Sequence, residues 1–124
     1  MYFILKIINI MAKYLTLQNL GWLFTAFVTV MLGMGGVSKI IGTEEMVGNF
    51  NYMNLSDYLL MVGLLEVLGV GLLVYNKTSL YGSVLIGAIM TGAVCMHLSL
   101  GFPGTMMPIL LGVAGFAGYK LRTL

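Results

Sequence analysis

Four long apolar stretches, separated only by short polar linkers, constrain this chain more than any other feature. They run from about Leu20 to Ile41, Leu55 to Tyr75, Ser79 to Leu100 and Thr105 to Tyr119. A transmembrane helix needs about 20 predominantly apolar residues, so 124 residues have room for four such helices and little else. Only 8% of the residues are charged, against about 25% in soluble domains. The sequence therefore predicts an all-α integral membrane four-helix bundle with short loops. It excludes a soluble nucleotide-binding fold.

Residues 1–17 precede the first span and are predicted separately. They are mostly apolar, with Lys6 and Lys13 embedded among the apolar residues. The segment makes a poor signal peptide, because the charge does not precede the apolar run and no small-residue cleavage site follows. We expect an uncleaved interfacial helix or an extension of span one, in front of a four-span domain over residues 18–124. Met11 is an alternative start.

The charges that flank the spans predict an orientation. Five of the six basic residues lie in the N-terminal segment, the second linker and the C-terminal tail: Lys6, Lys13, Lys77, Lys120 and Arg122. The acidic residues Glu44, Glu45 and Asp57 lie on the opposite side, in the first linker and at the start of span two. Cytoplasmic loops of membrane proteins are enriched in Lys and Arg. We therefore expect both termini in the cytoplasm.

Several kinds of chemistry are excluded by composition. A net charge of +2 gives no basic surface for nucleic acid. A single cysteine, Cys95, allows neither an internal disulfide nor a CxxC redox pair. One histidine, one cysteine and one deep glutamate make no recognisable metal-ligand spacing. We expect no nucleic-acid partner, no metal site and no intrinsic cofactor.

Three ionisable residues are candidates for membrane depth, where charge is costly and such groups usually face the bundle interior. Glu66 lies near the middle of span two, and Lys39 and His97 lie toward the outer ends of spans one and three. With the orientation above, all three could meet in one polar pocket that opens to the non-cytoplasmic side. Haem ligation between two histidines would need a second chain.

Each of the three residues has a functional and a structural interpretation. In its functional interpretation, Glu66 is a proton carrier or an acceptor for a quinone or another polar ligand. In its structural interpretation, it is a carboxyl group that forms hydrogen bonds between helices. Lys39 either extends to the lipid headgroups or pairs with Glu66. In its structural interpretation, His97 is an interfacial residue whose hydrogen bonds are satisfied. In its functional interpretation, it exchanges protons or binds a ligand.

Glycines recur on the spans at helical spacing. Gly63 and Gly69 flank Glu66 three residues away on either side, which favours close contact of that face with a neighbouring helix. A second set on spans three and four also predicts tight helix packing: Gly82, Gly87, Gly112, Gly115 and Gly118.

The order of these residues resembles the DoxX-like family of small four-helix bacterial membrane proteins. The resemblance covers about residues 20–124 and rests on three short motifs. These are Gly35–Lys39 at the end of span one, Glu66–Val74 in span two and Met90–His97 in span three. The arginine that the family often has at the start of span one is missing.

The resemblance implies a multi-pass protein of the bacterial cytoplasmic (inner) membrane. Family members are similar to the membrane subunit of archaeal thiosulfate:quinone oxidoreductase, and others are associated with oxidative-stress or thiol complexes. Lys39, Glu66 and His97 are the positions that match the family pattern.

The leading hypothesis is an accessory subunit of a membrane complex, with a quinone or lipid bound between the helices. At most, the chain is a non-catalytic or proton- and quinone-handling subunit of an oxidoreductase. The alternative is a purely structural or assembly subunit, and a small solute or proton carrier is less favoured. Expected partners are membrane lipid and other membrane subunits or further copies of the chain.

Overall fold

The computed structural model covers residues 1–124 and contains six α-helices and no strand. In chain order they are α1 (Tyr2–Tyr14), α2 (Leu17–Ile41), α3 (Glu44–Tyr52), α4 (Leu59–Val74), α5 (Ser79–Leu100) and α6 (Met106–Arg122). One-turn 3-10 helices precede α4 and α5. The all-α prediction is confirmed. Three helices are long and apolar enough to cross a membrane: α2, α4 and α5, the last two counted with their 3-10 turns.

Local capping chemistry sets where the helices begin and end. Span one starts at Leu17 rather than Leu20, because the Thr16 side chain accepts a hydrogen bond from the backbone N–H of Asn19 (3.1 Å). Helix α2 ends at Gly42, whose φ of +78° is a left-handed conformation that glycine adopts without strain. Span two starts later than predicted, because the chain forms a 3-10 turn before Leu59.

The four long helices pack around one apolar core. Helix α2 contacts α4 and α6, and α5 contacts the same two helices from the other side. The core contains buried residues from all four: Val28, Leu32, Leu73, Ile86, Met90, Leu111 and Ala114. The outward faces are also apolar and stay exposed, as at Val84 (62% exposed) and Val113 (64%). Such a surface is expected in lipid and would be an aggregation risk in water.

Glycine lets two pairs of helices approach to backbone contact. A Cβ added at Gly82 of α5 would overlap the backbone nitrogen of Leu73 and lie 2.6 Å from its Cα. A Cβ at Gly118 of α6 would lie 2.6 Å from the hydroxyl oxygen of Thr25 in α2. The prediction of tight packing is wrong for Gly87, where an added Cβ would meet no atom of another helix within 4 Å. Spacing alone could not separate it from Gly82, because only the helix rotation decides which glycine meets a neighbour.

Arg122 joins three helices at one end of the molecule. Its Nη1 donates to the backbone oxygen of Leu73 (2.7 Å) and its Nη2 to that of Val74 (3.1 Å). These carbonyls end α4 and have no partner within that helix. The guanidinium also lies 3.9 Å from the ring centre of Trp22 in α2. Arg122 was predicted only as a charge that flanks the last span. These bonds explain why α6 continues past the predicted end at Tyr119.

Candidate functional site

Lys39 and Glu66 form a buried ion pair between α2 and α4. The Lys39 Nζ lies 3.0 Å from Glu66 Oε2, and the two side chains are only 12% and 5% exposed. The same ammonium makes a longer contact of 3.5 Å with the backbone oxygen of Gly35. Of the two interpretations of Lys39, the structure therefore shows the pair with Glu66.

Facing glycines bring these two helices close enough for the pair to form. A Cβ on Gly63 would lie 2.8 Å from the backbone oxygen of Gly36, and a Cβ on Gly36 would lie 2.9 Å from a methyl group of Val67. Small residues at such crossings are typical of helix packing in membranes. Gly63 faces α2, and Gly69 on the other side of Glu66 faces Ile86 of α5. Glu66 is thereby held between two helix contacts and kept from lipid.

His97 lies in the last turn of α5, where its ring is fixed on two sides. Its Nδ1 lies 2.8 Å from the backbone oxygen of Ala93. The ring meets Phe102 edge-on at 5.7 Å between centres, and Phe102 in turn packs against Tyr52 at 5.0 Å. These contacts give His97 a defined orientation at the end of the helix.

All three predicted residues line one cavity of about 860 Å³ at this end of the molecule. That volume is within the usual range of about 300–1,000 Å³ for small-molecule sites. Twelve of its nineteen lining residues are hydrophobic. The lining residues come from the end of α2, from α3 and the linker after it, from the first half of α4, from the middle and end of α5 and from the turn after α5.

The residues of α3 and of the turn after α5 were not among those predicted for the site. Only the structure shows that α3 covers the cavity with Glu45, Asn49 and Phe50. Phe50 could have indicated this, because it is a large apolar residue in a polar segment. Its side chain is only 6% exposed. Phe102 and Pro103 of the turn also line the cavity.

The polar groups in the cavity can form hydrogen bonds but make no metal centre. The structure contains no group of three or more His, Cys, Asp or Glu side chains that could hold a metal ion. Lys39 can donate, the Glu66 carboxylate can accept, and the neutral His97 ring has one nitrogen of each kind. The arrangement suits an amphipathic ligand with an apolar body and a few polar atoms.

The three site residues lie within the part of the chain that matches a known family. A sequence model of the DoxX-like family matches residues 23–118, a range that contains Lys39, Glu66 and His97 but not α1. Comparisons with curated proteins and with solved structures gave no match. The match covers well over half of the chain and agrees with the apolar helices. The chain is a multi-pass membrane protein that belongs to the DoxX-like family.

Proposed function

We propose that this protein is an accessory subunit of a quinone-linked redox complex in the bacterial inner membrane, and that its cavity binds a quinone. The observation that carries the proposal is the mainly apolar cavity of about 860 Å³, with the Lys39–Glu66 pair and His97 in its wall. A quinone has an apolar body and two polar oxygens, which matches this distribution. The chain itself supplies no redox group, so electrons pass through a partner subunit.

The charge balance of the cavity favours a neutral ligand. Lys39 is the only Lys or Arg side chain that lines it, and Glu66 already neutralises that charge. Glu45 adds a further negative charge. A carboxylate or phosphate headgroup would find no unpaired cation there, and an unpaired charge is costly to bury. A neutral quinone avoids that cost.

We further propose that α2, α4, α5 and α6 form one membrane-spanning four-helix bundle with both termini in the cytoplasm. The structure brings the basic linker and tail together, since Arg122 bonds to Asn76 beside Lys77, and Gln18 donates to the backbone oxygen of Leu124 (2.8 Å). Helix α6 is about 25 Å long at 1.5 Å per residue. That length is near the roughly 30 Å of a bilayer core. The cavity then opens on the non-cytoplasmic side.

Helix α1 fits an interfacial position on the cytoplasmic leaflet. None of its residues is buried against the rest of the chain. Lys6, Asn9 and Lys13 share one helix face, and Ile4, Ile7, Ile8 and Met11 lie on the other. A helix with this division lies in the headgroup region, with its lysines toward anionic lipids.

Thiol labelling tests the orientation. In a Cys95→Ser background, Gly48→Cys on α3 and Lys77→Cys between α4 and α5 place one thiol at each end of the molecule. Both positions are exposed, and a Cβ added at Gly48 would meet no atom of another element within 4 Å. A membrane-impermeant maleimide added to intact spheroplasts should label the Gly48→Cys protein and should reach the Lys77→Cys protein only after lysis. The reverse pattern would overturn the proposed orientation.

Purification in mild detergent at native expression level tests the function. Mass spectrometry should find quinone and a redox enzyme with the wild-type protein. Glu66→Gln should reduce the bound quinone at least tenfold, because the amide cannot neutralise Lys39 and leaves an unpaired charge in the cavity wall. Glu44→Gln is the matched control, since Glu44 is exposed and does not line the cavity. Equal quinone in wild type and Glu66→Gln would contradict the proposal.

An assembly subunit is the second candidate. The Lys39–Glu66 pair joins α2 to α4, and Arg122 joins α2, α4 and α6, so the buried polar groups also have a structural task. The exposed apolar faces could dock against other membrane subunits or further copies. A large complex that contains neither quinone nor a redox enzyme would favour this candidate. A solute or proton carrier has the least support.

A further inference from the structure

The protonation pattern of His97 follows from its one hydrogen bond. The backbone oxygen of Ala93 can only accept, so the 2.8 Å contact requires a proton on Nδ1. In the neutral imidazole, Nε2 then carries a lone pair and accepts hydrogen bonds. Nε2 has no hydrogen-bond partner in the protein, and His97 lines the cavity. The residue therefore offers an acceptor to a ligand.

Glu66 offers a second acceptor. Its Oε2 is bonded to Lys39, whereas Oε1 makes no hydrogen bond within the protein. Glu66 also lines the cavity, and a carboxylate oxygen can only accept. Glu45, on the α3 side of the cavity, adds further acceptor oxygens.

Donors are fewer. Lys39 has three N–H groups; one is bonded to Glu66 and a second is directed at Gly35, which leaves one for a ligand. The Asn49 amide has both donor and acceptor atoms, so it serves either kind of ligand. Acceptors thus outnumber donors in the wall.

From this imbalance we infer that the cavity binds the reduced quinol more tightly than the oxidised quinone, an inference that rests on the proposed function. The two carbonyl oxygens of a quinone only accept, and they would leave Nε2 of His97 and Oε1 of Glu66 without partners. The two hydroxyl groups of a quinol donate to these atoms, and one hydroxyl oxygen still accepts from Lys39. An acceptor that the ligand covers but does not pair loses its hydrogen bonds to water, and this loss is costlier than the gain from a bond made. We expect at least a tenfold difference in Kd.

A tenfold preference also has an electrochemical consequence. Tighter binding of the reduced form raises the midpoint potential of the bound couple by about 30 mV for each factor of ten, since two electrons are transferred. The bound quinone would then be a stronger oxidant than the free quinone, which favours its reduction by a partner. No electron transfer within this chain is implied.

Equilibrium dialysis of the full-length protein in lipid nanodiscs tests the inference under anaerobic conditions. The probe is a short-chain ubiquinone, used oxidised or reduced to its quinol. The expected result is a quinol Kd at least tenfold below the quinone Kd. Equal affinities, or tighter quinone binding, would overturn the inference but leave the proposed function standing. Binding of neither form would instead contradict the proposed function itself.

A His97→Phe variant tests whether His97 causes the preference for quinol over quinone. Phenylalanine keeps a ring against Phe102 but has no acceptor nitrogen. Its quinol Kd should rise several-fold, while its quinone Kd should change little. An unchanged quinol preference would show that His97 is not the acceptor. The wild-type comparison decides the main inference by itself, so the test does not depend on the folding of the variant.

Discussion

Gly82→Ala is expected to lower the free energy of unfolding by about 3 kcal/mol, at the upper end of what overpacking usually costs. The added methyl group would overlap the backbone of α4, because its carbon would lie 2.6 Å from the Cα of Leu73. A backbone atom cannot move aside as a flexible side chain can, so α4 and α5 would have to separate. The ends of the two helices joined by the turn at Asn76–Thr78 would lose their packing. Unfolding by SDS in mixed micelles measures the effect.

Gly87→Ala is the matched control for this prediction. It makes the same chemical change five residues later on the same helix, at a position where the added methyl carbon would meet no atom of another helix within 4 Å. Alanine favours a helix over glycine by about 1 kcal/mol, so this variant should be as stable as the wild type or slightly more so. An equal decrease in the free energy of unfolding in the two variants would show that α4 and α5 do not pack as described.

Lys39→Met is expected to destabilise the protein by about 3 kcal/mol, the lower end of the cost of removing one partner of a buried ion pair. The substitution leaves the Glu66 carboxylate, only 5% exposed, without its partner at 3.0 Å. Lys77→Met is the control, because Lys77 lies in an exposed turn and its loss should change stability by less than about 0.5 kcal/mol. The same SDS titration measures both variants.

The double variant Lys39→Met/Glu66→Leu separates stability from ligand binding. Replacing a whole buried pair by apolar residues is often neutral for stability, so the double variant should regain most of what Lys39→Met loses. It should not regain quinone binding, since the Lys39 ammonium that donates to a quinone oxygen is gone. A double variant that is less stable than Lys39→Met alone would show that the two side chains do not act as a pair.

The helices of this chain could be predicted well from hydropathy, and their ends less well. An apolar stretch of about 20 residues has few alternatives to a membrane helix, so α2, α4 and α5 lie close to their predicted ranges. The predicted helix ends differ from the observed ones because contacts with other helices decide where a helix stops. Helix α6 continues to Arg122 because that side chain bonds to α4. No pattern within α6 itself contains this information.

The candidate site could be predicted only in part, for a related reason. An ionisable group in hydrocarbon is costly, and this rule alone selects Lys39, Glu66 and His97 from the sequence. Their arrangement around one cavity depends on how the helices rotate and cross. The covering helix α3 and the Phe102 contact depend on where the linkers fold back, which hydropathy does not report.

Photolabelling with an azido-quinone tests the central claim most directly, because it shows where in the protein a quinone binds. The full-length protein is labelled in nanodiscs, digested and mapped by mass spectrometry, with and without excess unlabelled short-chain quinol. The account predicts labels on cavity residues such as Met46 and Met96, and their loss in the presence of the competitor. Labels confined to outward lipid-facing residues such as Val84 and Val113, or labels that resist competition, would contradict it.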